Sequence, residues 1–202
     1  MPLDTRRVAV RIGPPDRSIW PFAEPRPAHD DASMERPRRI EPPLRRARIS
    51  IRGIRRADAT RLAALYAGLS VESRRRRFLA SGTGLTPRAI GRLCAGDGFV
   101  AVLDGNGRDG GSIVGHAVVV PLGATRAEIA IAVADAYQGR RIGSRLITAA
   151  LARARGEGCR TLTATLFADN VAMRRLIGHA GCPIVADTID AGVEEVTVAL
   201  AA

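Results

Sequence analysis

A mixed α/β (α+β) fold around a largely antiparallel sheet is expected from three features of this chain. Short apolar runs of strand length recur over 99–103, 113–120, 126–134, 161–166 and 193–200. Between two of them, Ile142, Leu146, Ile147, Ala150, Leu151 and Ala154 fall at helical spacing. Helical segments both precede and punctuate the strands, with a β-α-β-α-β unit at the centre of the sheet.

Each element follows from local signals. Ile49 and Ile51 alternate with polar residues ahead of Gly53, giving a first strand. Asp58 or Thr60 caps a helix carrying Leu62, Leu65 and Leu69. Ser70 with Ser73 starts a short helix that ends in the arginine run 74–77. Thr86-Pro87 opens a third, with Ile90 and Leu93 on one face, because Pro suits a first turn. The runs 99–103 and 113–120 form a hairpin across Gly105, Gly107, Gly110 and Gly111. In the strand 126–134, Ile129, Ile131 and Val133 share a face. The next helix stops near Gly156-Glu157-Gly158, and a strand follows over 161–166. Asp169 and Asn170 cap a helix with Met173, Leu176 and Ile177, which ends at Gly181 before Pro183. Two strands, 184–186 and 193–200, close the sheet.

The stretch 133–144 carries the chemistry. An apolar strand enters a Gly-bearing turn that opens into a helix, so unpaired N–H groups and the helix dipole favour an anion there. Arg140 and Arg141 add charge suited to phosphate. Residues Gly139, Arg140, Arg141, Ile142, Gly143 and Ser144 therefore read as a pyrophosphate cradle. A Walker A loop is excluded, since all 31 basic residues are Arg and none is Lys. A dinucleotide fingerprint is not expected either: Gly82-x-Gly84 and Gly96-x-Gly98 lack the third glycine, and Gly105-x-Gly107-x-x-Gly110 joins the two strands of a hairpin instead of opening a helix.

What remains, Gln138-x-x-Arg141-x-Gly143, resembles the coenzyme A signature Gln/Arg-x-x-Gly-x-Gly/Ala of the GNAT superfamily of acyl-CoA-dependent N-acyltransferases. The run 127–140 is similar to the bacterial protein lysine acetyltransferases of that superfamily, as are 68–78 and the Asn-bearing stretch 168–176. The resemblance spans roughly Ile49 to the C-terminus. It implies a mixed sheet that splays at its centre to admit pantetheine, and acetyl-CoA as acyl donor. It further implies that Ile131, Ala132 and Val133 offer backbone groups to pantetheine. Asn170 suits either a pantetheine contact or a helix cap alone. Arg141 stands where the signature has its first glycine, which is acceptable at a helix entrance if its φ is negative. The tyrosine that many of these enzymes use as thiolate acid falls at Ile177 and is not carried over; Tyr137 reads as packing against the helix.

Amine acetylation needs a free amine, whereas a lysine amine has a pKa of about 10.4. A carboxylate near the acyl carbon can remove the proton. Glu128 points away from the apolar stripe of its strand, and its same-face neighbours Ala130 and Ala132 are small enough to leave room for a substrate. Read alone, it suits a solvated strand-end charge or a general base; the resemblance implies the base.

Composition bounds the rest. Nine of the twelve prolines lie in residues 1–46, which lack apolar periodicity and read as a disordered tail ahead of one domain over 47–202. No secretory signal or membrane-spanning run is visible, which leaves the cytoplasm as the expected compartment. Cys94, Cys159 and Cys182 have no metal spacing and read as reduced thiols, and His29, His116 and His179 are scattered, so no metal is expected. The net charge of +11 suits polyanionic coenzyme A; with few aromatics and no stacking platform, nucleic acid is not the expected partner. The run 74–77 suits a solvated helix face or a guide for an acidic partner. The expected activity is acetyl-CoA-dependent transfer to protein lysines. A small amine acceptor, or a non-catalytic acyl-CoA sensor, is the alternative. The sequence does not fix the oligomeric state.

Overall fold

Alternation along the strand Arg126–Val133 (β4) decides which helices cover which face of the sheet. A computed structural model describes residues 48–80, 85–104 and 111–200 of the chain. The expected tail and the tip of the first hairpin lie outside the described residues. The other strands are Ile49–Gly53 (β1), Gly98–Leu103 (β2), Ser112–Pro121 (β3), Thr161–Phe167 (β5), Ile184–Asp190 (β6) and Val193–Ala199 (β7). The helices are Ala59–Ala67 (α1), Val71–Phe78 (α2), Pro87–Ala95 (α3), Ile142–Gly156 (α4) and Val171–Gly178 (α5). The seven strands form one sheet in the order β1-β2-β3-β4-β5-β7-β6. Every neighbouring pair is antiparallel except β4 with β5.

Ile129 faces a core built with Ile147, Leu151, Leu162, Ala164 and Val198 beneath α4 and α5. Ala132 faces the opposite way, into a second core with Leu62, Tyr66, Ile90, Leu93 and Val100 beneath α1 and α3. At Gly115 on β3, a Cβ would lie 3.0 Å from Leu146 Cδ1 and 3.2 Å from Ile142 Cγ2. The missing side chain lets the first turns of α4 rest directly on the sheet, which fixes where that helix begins.

The central parallel pairing is short. β4 meets β5 only at Arg126↔Thr161, Ala127↔Leu162 and Glu128↔Thr163. On their outer sides both strands stay paired: β4 with β3 up to Val133, and β5 with β7 up to Phe167. Past Glu128 each strand follows its outer partner, and the sheet opens between them.

Some expectations need correcting. Asp58 precedes α1 but does not cap it; its backbone is helical and its side chain makes no cap bond. Its carboxylate is fully buried and accepts from Arg52 at 2.7 and 2.8 Å, from Arg61 at 2.6 Å and from the Arg55 N–H at 2.8 Å, tying β1 to α1. The hydrogen-bonded Arg52 guanidinium holds its pKa below the ordinary carboxylate value despite burial. Thr60 lies inside α1. α5 ends at Gly178 rather than Gly181, and β6 continues to Asp190. The arginine run is not one solvated face. Arg75 and Arg76 pair with Glu72 on their own helix, and Arg77 is buried. No helix among the described residues is long and apolar enough to cross a membrane.

A polar group sits inside the second core. His116, fully buried on β3, meets the Tyr66 hydroxyl at 2.9 Å through Nδ1. Burial, with the Arg77 charge nearby, lowers its pKa from 6.5 to about 3, so the ring is neutral in the folded protein. The sign follows from linkage. Below 6.5 the unfolded chain takes up a proton that the folded chain refuses, so stability falls as pH drops from 6.5 toward 3. In His116→Asn this contribution should vanish. Between pH 6 and 5 the parent should lose about 1 kcal/mol more unfolding free energy than the variant, measured by denaturant titration. Parallel pH slopes for the two proteins would contradict it.

Candidate active site

Three helices close their N-termini with a side chain. Ser70 accepts from the Ser73 N–H at 3.1 Å, Thr86 from the Ala89 N–H at 3.2 Å, and Asn170 from the Met173 N–H at 3.2 Å. The longest helix, α4, has no such cap. Its first helical hydrogen bond runs from the Arg145 N–H to the Arg141 carbonyl, so the N–H groups of Ile142, Gly143 and Ser144 have no acceptor within the helix. Arg140, Arg141 and Ser144 are exposed around this end, and Gly139 turns the chain at φ 72°. The sequence-read cradle is thus one continuous surface where positive charge and free donors coincide.

One of its residues differs from expectation. Arg141 adopts φ 60° and ψ 15°, the left-handed region, where a negative φ was required for comfort. The signature's glycine suits this conformation, and an arginine there carries about 1–2 kcal/mol of strain. At Gly143 a Cβ would come within 3.3 Å of Leu176 Cδ2, so the absent side chain lets α5 approach α4.

The turn is tied to α2. Asp135 accepts from the Ser70 N–H at 2.9 Å, the Ser70 hydroxyl at 2.8 Å and the Ser73 hydroxyl at 2.7 Å. Burial raises its pKa, but the serine hydrogen bonds outweigh that and leave it below the ordinary value. Gln138 donates to the Val133 carbonyl at 3.1 Å and to Ser73 Oγ at 3.2 Å. This network was missed from sequence; the partners lie 65 residues apart and no local pattern links them. At the other side, Arg75 stacks 4.1 Å from the Phe167 ring centroid and reaches Asp169 at 3.7 Å. α2 therefore packs against both β4 and β5, across the mouth of the opened sheet.

The opening exposes backbone. The Ala134 N–H bonds the Val114 carbonyl, so the even-numbered residues of β4 direct their backbone groups to β3. Ile129, Ile131 and Val133 direct theirs to the gap. Of the expected trio, Ile131 and Val133 face the gap, whereas Ala132 is bonded toward His116 on β3. Glu128 forms the last rung with Thr163. It is 5% exposed, so it is not a solvated strand-end charge, and its Oε1 accepts from Thr165 Oγ1 at 3.1 Å. Ala130 and Ala132 pack against the second core, so their small size admits helices there. Asn170 is buried and serves as the α5 cap, at the far wall of the gap. Ile177 is part of the first core. Tyr137 packs beside Ile142 and Leu146, with the Arg140 guanidinium 5.6 Å from its ring. The three cysteines are free thiols, two of them buried.

Residues 72–181 match the Acetyltransferase (GNAT) family, and the chain belongs to that family. It is 39% identical over 75 residues to acetyltransferase Pat of Mycolicibacterium smegmatis. That stretch covers 37% of this chain and 22% of Pat, so the chain spans only a minor part of that relative's length. The GNAT domain of S. lividans PAT superimposes with a TM-score of 0.66 at 26% identity, over 79% of this chain and all of that one. The yncA protein of Salmonella typhimurium, solved with its cofactor acetyl-CoA, shares the fold, with a TM-score of 0.57 and 17% identity over 75% of this chain and 92% of its own.

The strain at Arg141 has a measurable consequence. Arg141→Gly should raise stability by about 1 kcal/mol, or roughly 2–4 °C in Tm for a chain of this size. A lower Tm would show that the arginine side chain stabilises the turn by more than its backbone costs.

Proposed function

We propose that the protein transfers acetyl from acetyl-CoA to lysine side chains of other proteins, with Glu128 as general base. The observation that carries this reading is the end of β4–β5 pairing at Glu128, which sets a buried carboxylate at the closed end of a gap. The residues present fit the coenzyme. The N–H groups of 142–144 with Arg140 and Arg141 suit a pyrophosphate, and the gap-facing backbone of Ile131 and Val133 suits the amides of pantetheine. Bound there, acetyl-CoA would supply an activated thioester.

The remaining chemistry falls to this chain. An incoming lysine is protonated at neutral pH and cannot attack until it loses a proton. Glu128 accepts that proton, directly or through one water, and its burial keeps it close to the amine with little competing solvent. α2, anchored to the coenzyme turn through Asp135 and Gln138, holds the acceptor side in register with the donor side. Protein lysine as acceptor is supported by the similarity to Pat and to the PAT domain.

Two variants test the reading. Glu128→Gln should bind acetyl-CoA normally yet slow acetyl transfer by ~10²–10⁴-fold, the usual contribution of a positioned base. The deficit should shrink as pH rises and free amine appears unaided. Because the chain contains no lysine, any acetyl-lysine detected by mass spectrometry belongs to the acceptor protein. Equal turnover of variant and parent from about pH 6 to 9 would rule out Glu128 as base. Arg140→Glu should weaken coenzyme A binding severalfold by calorimetry, and unchanged affinity would move the cradle elsewhere.

A further inference from the structure

The hydrogen bond between Thr165 and Glu128 points to a second residue serving the reaction. Glu128 closes the β4–β5 ladder opposite Thr163. Thr165 lies two residues further along the same face of β5 and donates from Oγ1 to Glu128 Oε1 at 3.1 Å. No ladder pair joins the two strands beyond Glu128, so this side-chain bond spans the start of the opening. The neighbouring hydroxyl of Thr163 is already engaged with Thr197 at 2.9 Å, which leaves Thr165 as the bridging threonine.

The physical consequences are specific. Glutamate has three side-chain torsions, and fixing them costs rotamer entropy. At 5% exposure little water is present to orient or stabilise the carboxylate. A hydrogen bond donated to a carboxylate favours its ionised form, which is the form a base must start from. Threonine is β-branched and stiff at χ1 within a strand, so its hydroxyl direction is set by β5 itself.

We infer that Thr165 is a positioning residue that orients the Glu128 carboxylate and keeps it ionised before proton transfer. The inference rests on the reading of Glu128 as base. The charged and titratable groups on its own strand and the surrounding elements are Arg126 on β4, His116 on β3, Glu195 on β7, the cross-strand partner of Thr165, and Glu72 with Arg74, Arg75, Arg76 and Arg77 on α2. Val120, opposite Glu128 on β3, is uncharged. None of these changes in the variants below, so a shifted pH profile reports on the Thr165 bond.

The test compares the full-length parent with Thr165→Val, Thr165→Ser and Glu128→Gln, using acetyl-CoA and a lysine-bearing acceptor protein that the parent acetylates. Thr165→Val should lower kcat about tenfold, the scale of one lost hydrogen bond to a charged group. KM for acetyl-CoA should not change. The rising limb of kcat/KM against pH should move to higher pH, because the carboxylate has lost a donor. Thr165→Ser should restore both rate and profile. If Thr165→Val does not fold, Thr165→Ala replaces it with the same expected outcome. A rate loss with an unshifted profile would make Thr165 merely structural and overturn the inference. If Thr165→Val behaves as the parent while Glu128→Gln stays slow, the positioning role falls and the base remains. If Glu128→Gln also turns over like the parent, both readings fall together.

Discussion

The early end of the β4–β5 ladder is the constraint on which the rest of this molecule depends. Parallel strands this close would normally continue pairing, since an unpaired backbone group in a folded interior is costly. Here the two strands share only three rungs before each follows its outer neighbour. The backbone groups of Ile131 and Val133 are left facing a gap. Gln138 satisfies one of them by donating to the Val133 carbonyl. The others remain available to a ligand that can pair like a strand.

The elements around the gap serve it. Gly115 seats α4 on the sheet, and Gly143 lets α5 close in against α4. α4 then starts where β4 ends, without a cap, and with a left-handed arginine at its entrance. A strained residue and unsatisfied donors at the same place are stability set aside for binding. α2 is held by opposite contacts: serine hydroxyls on Asp135 at its start, and Arg75 on Phe167 and Asp169 further along. The turn 135–138 and α2 are therefore mechanically linked, and movement of that turn would be felt by α2.

Most of the fold was legible in the sequence because its signals are local. Ser70, Thr86 and Asn170 each cap the helix that their residue types announce, and period-two alternation in β4 sorts Ile129 from Ala132. Asp58 was misread because a buried carboxylate bound by two arginines looks, in one dimension, like any helix cap. Arg77 shows the same limit: four consecutive arginines carry no mark of which one points inward. Within the candidate site, the turn and the start of α4 followed from the strand–turn–helix pattern, whereas Glu128 was singled out only with the help of a family resemblance. Thr165 and the serine contacts of Asp135 had no sequence signature. Strand register and helix docking alone bring them into reach, and both are set by packing far from the residues concerned.

The most direct measurement is a crystal structure of the protein with coenzyme A bound. The pyrophosphate is expected against the N–H groups of Ile142, Gly143 and Ser144, with the pantetheine arm along the β4 edge at Ile131 and Val133 and the sulfur directed toward Glu128. Phosphates seated away from the start of α4, or an arm that avoids the β4–β5 gap, would contradict the link between the split sheet and catalysis.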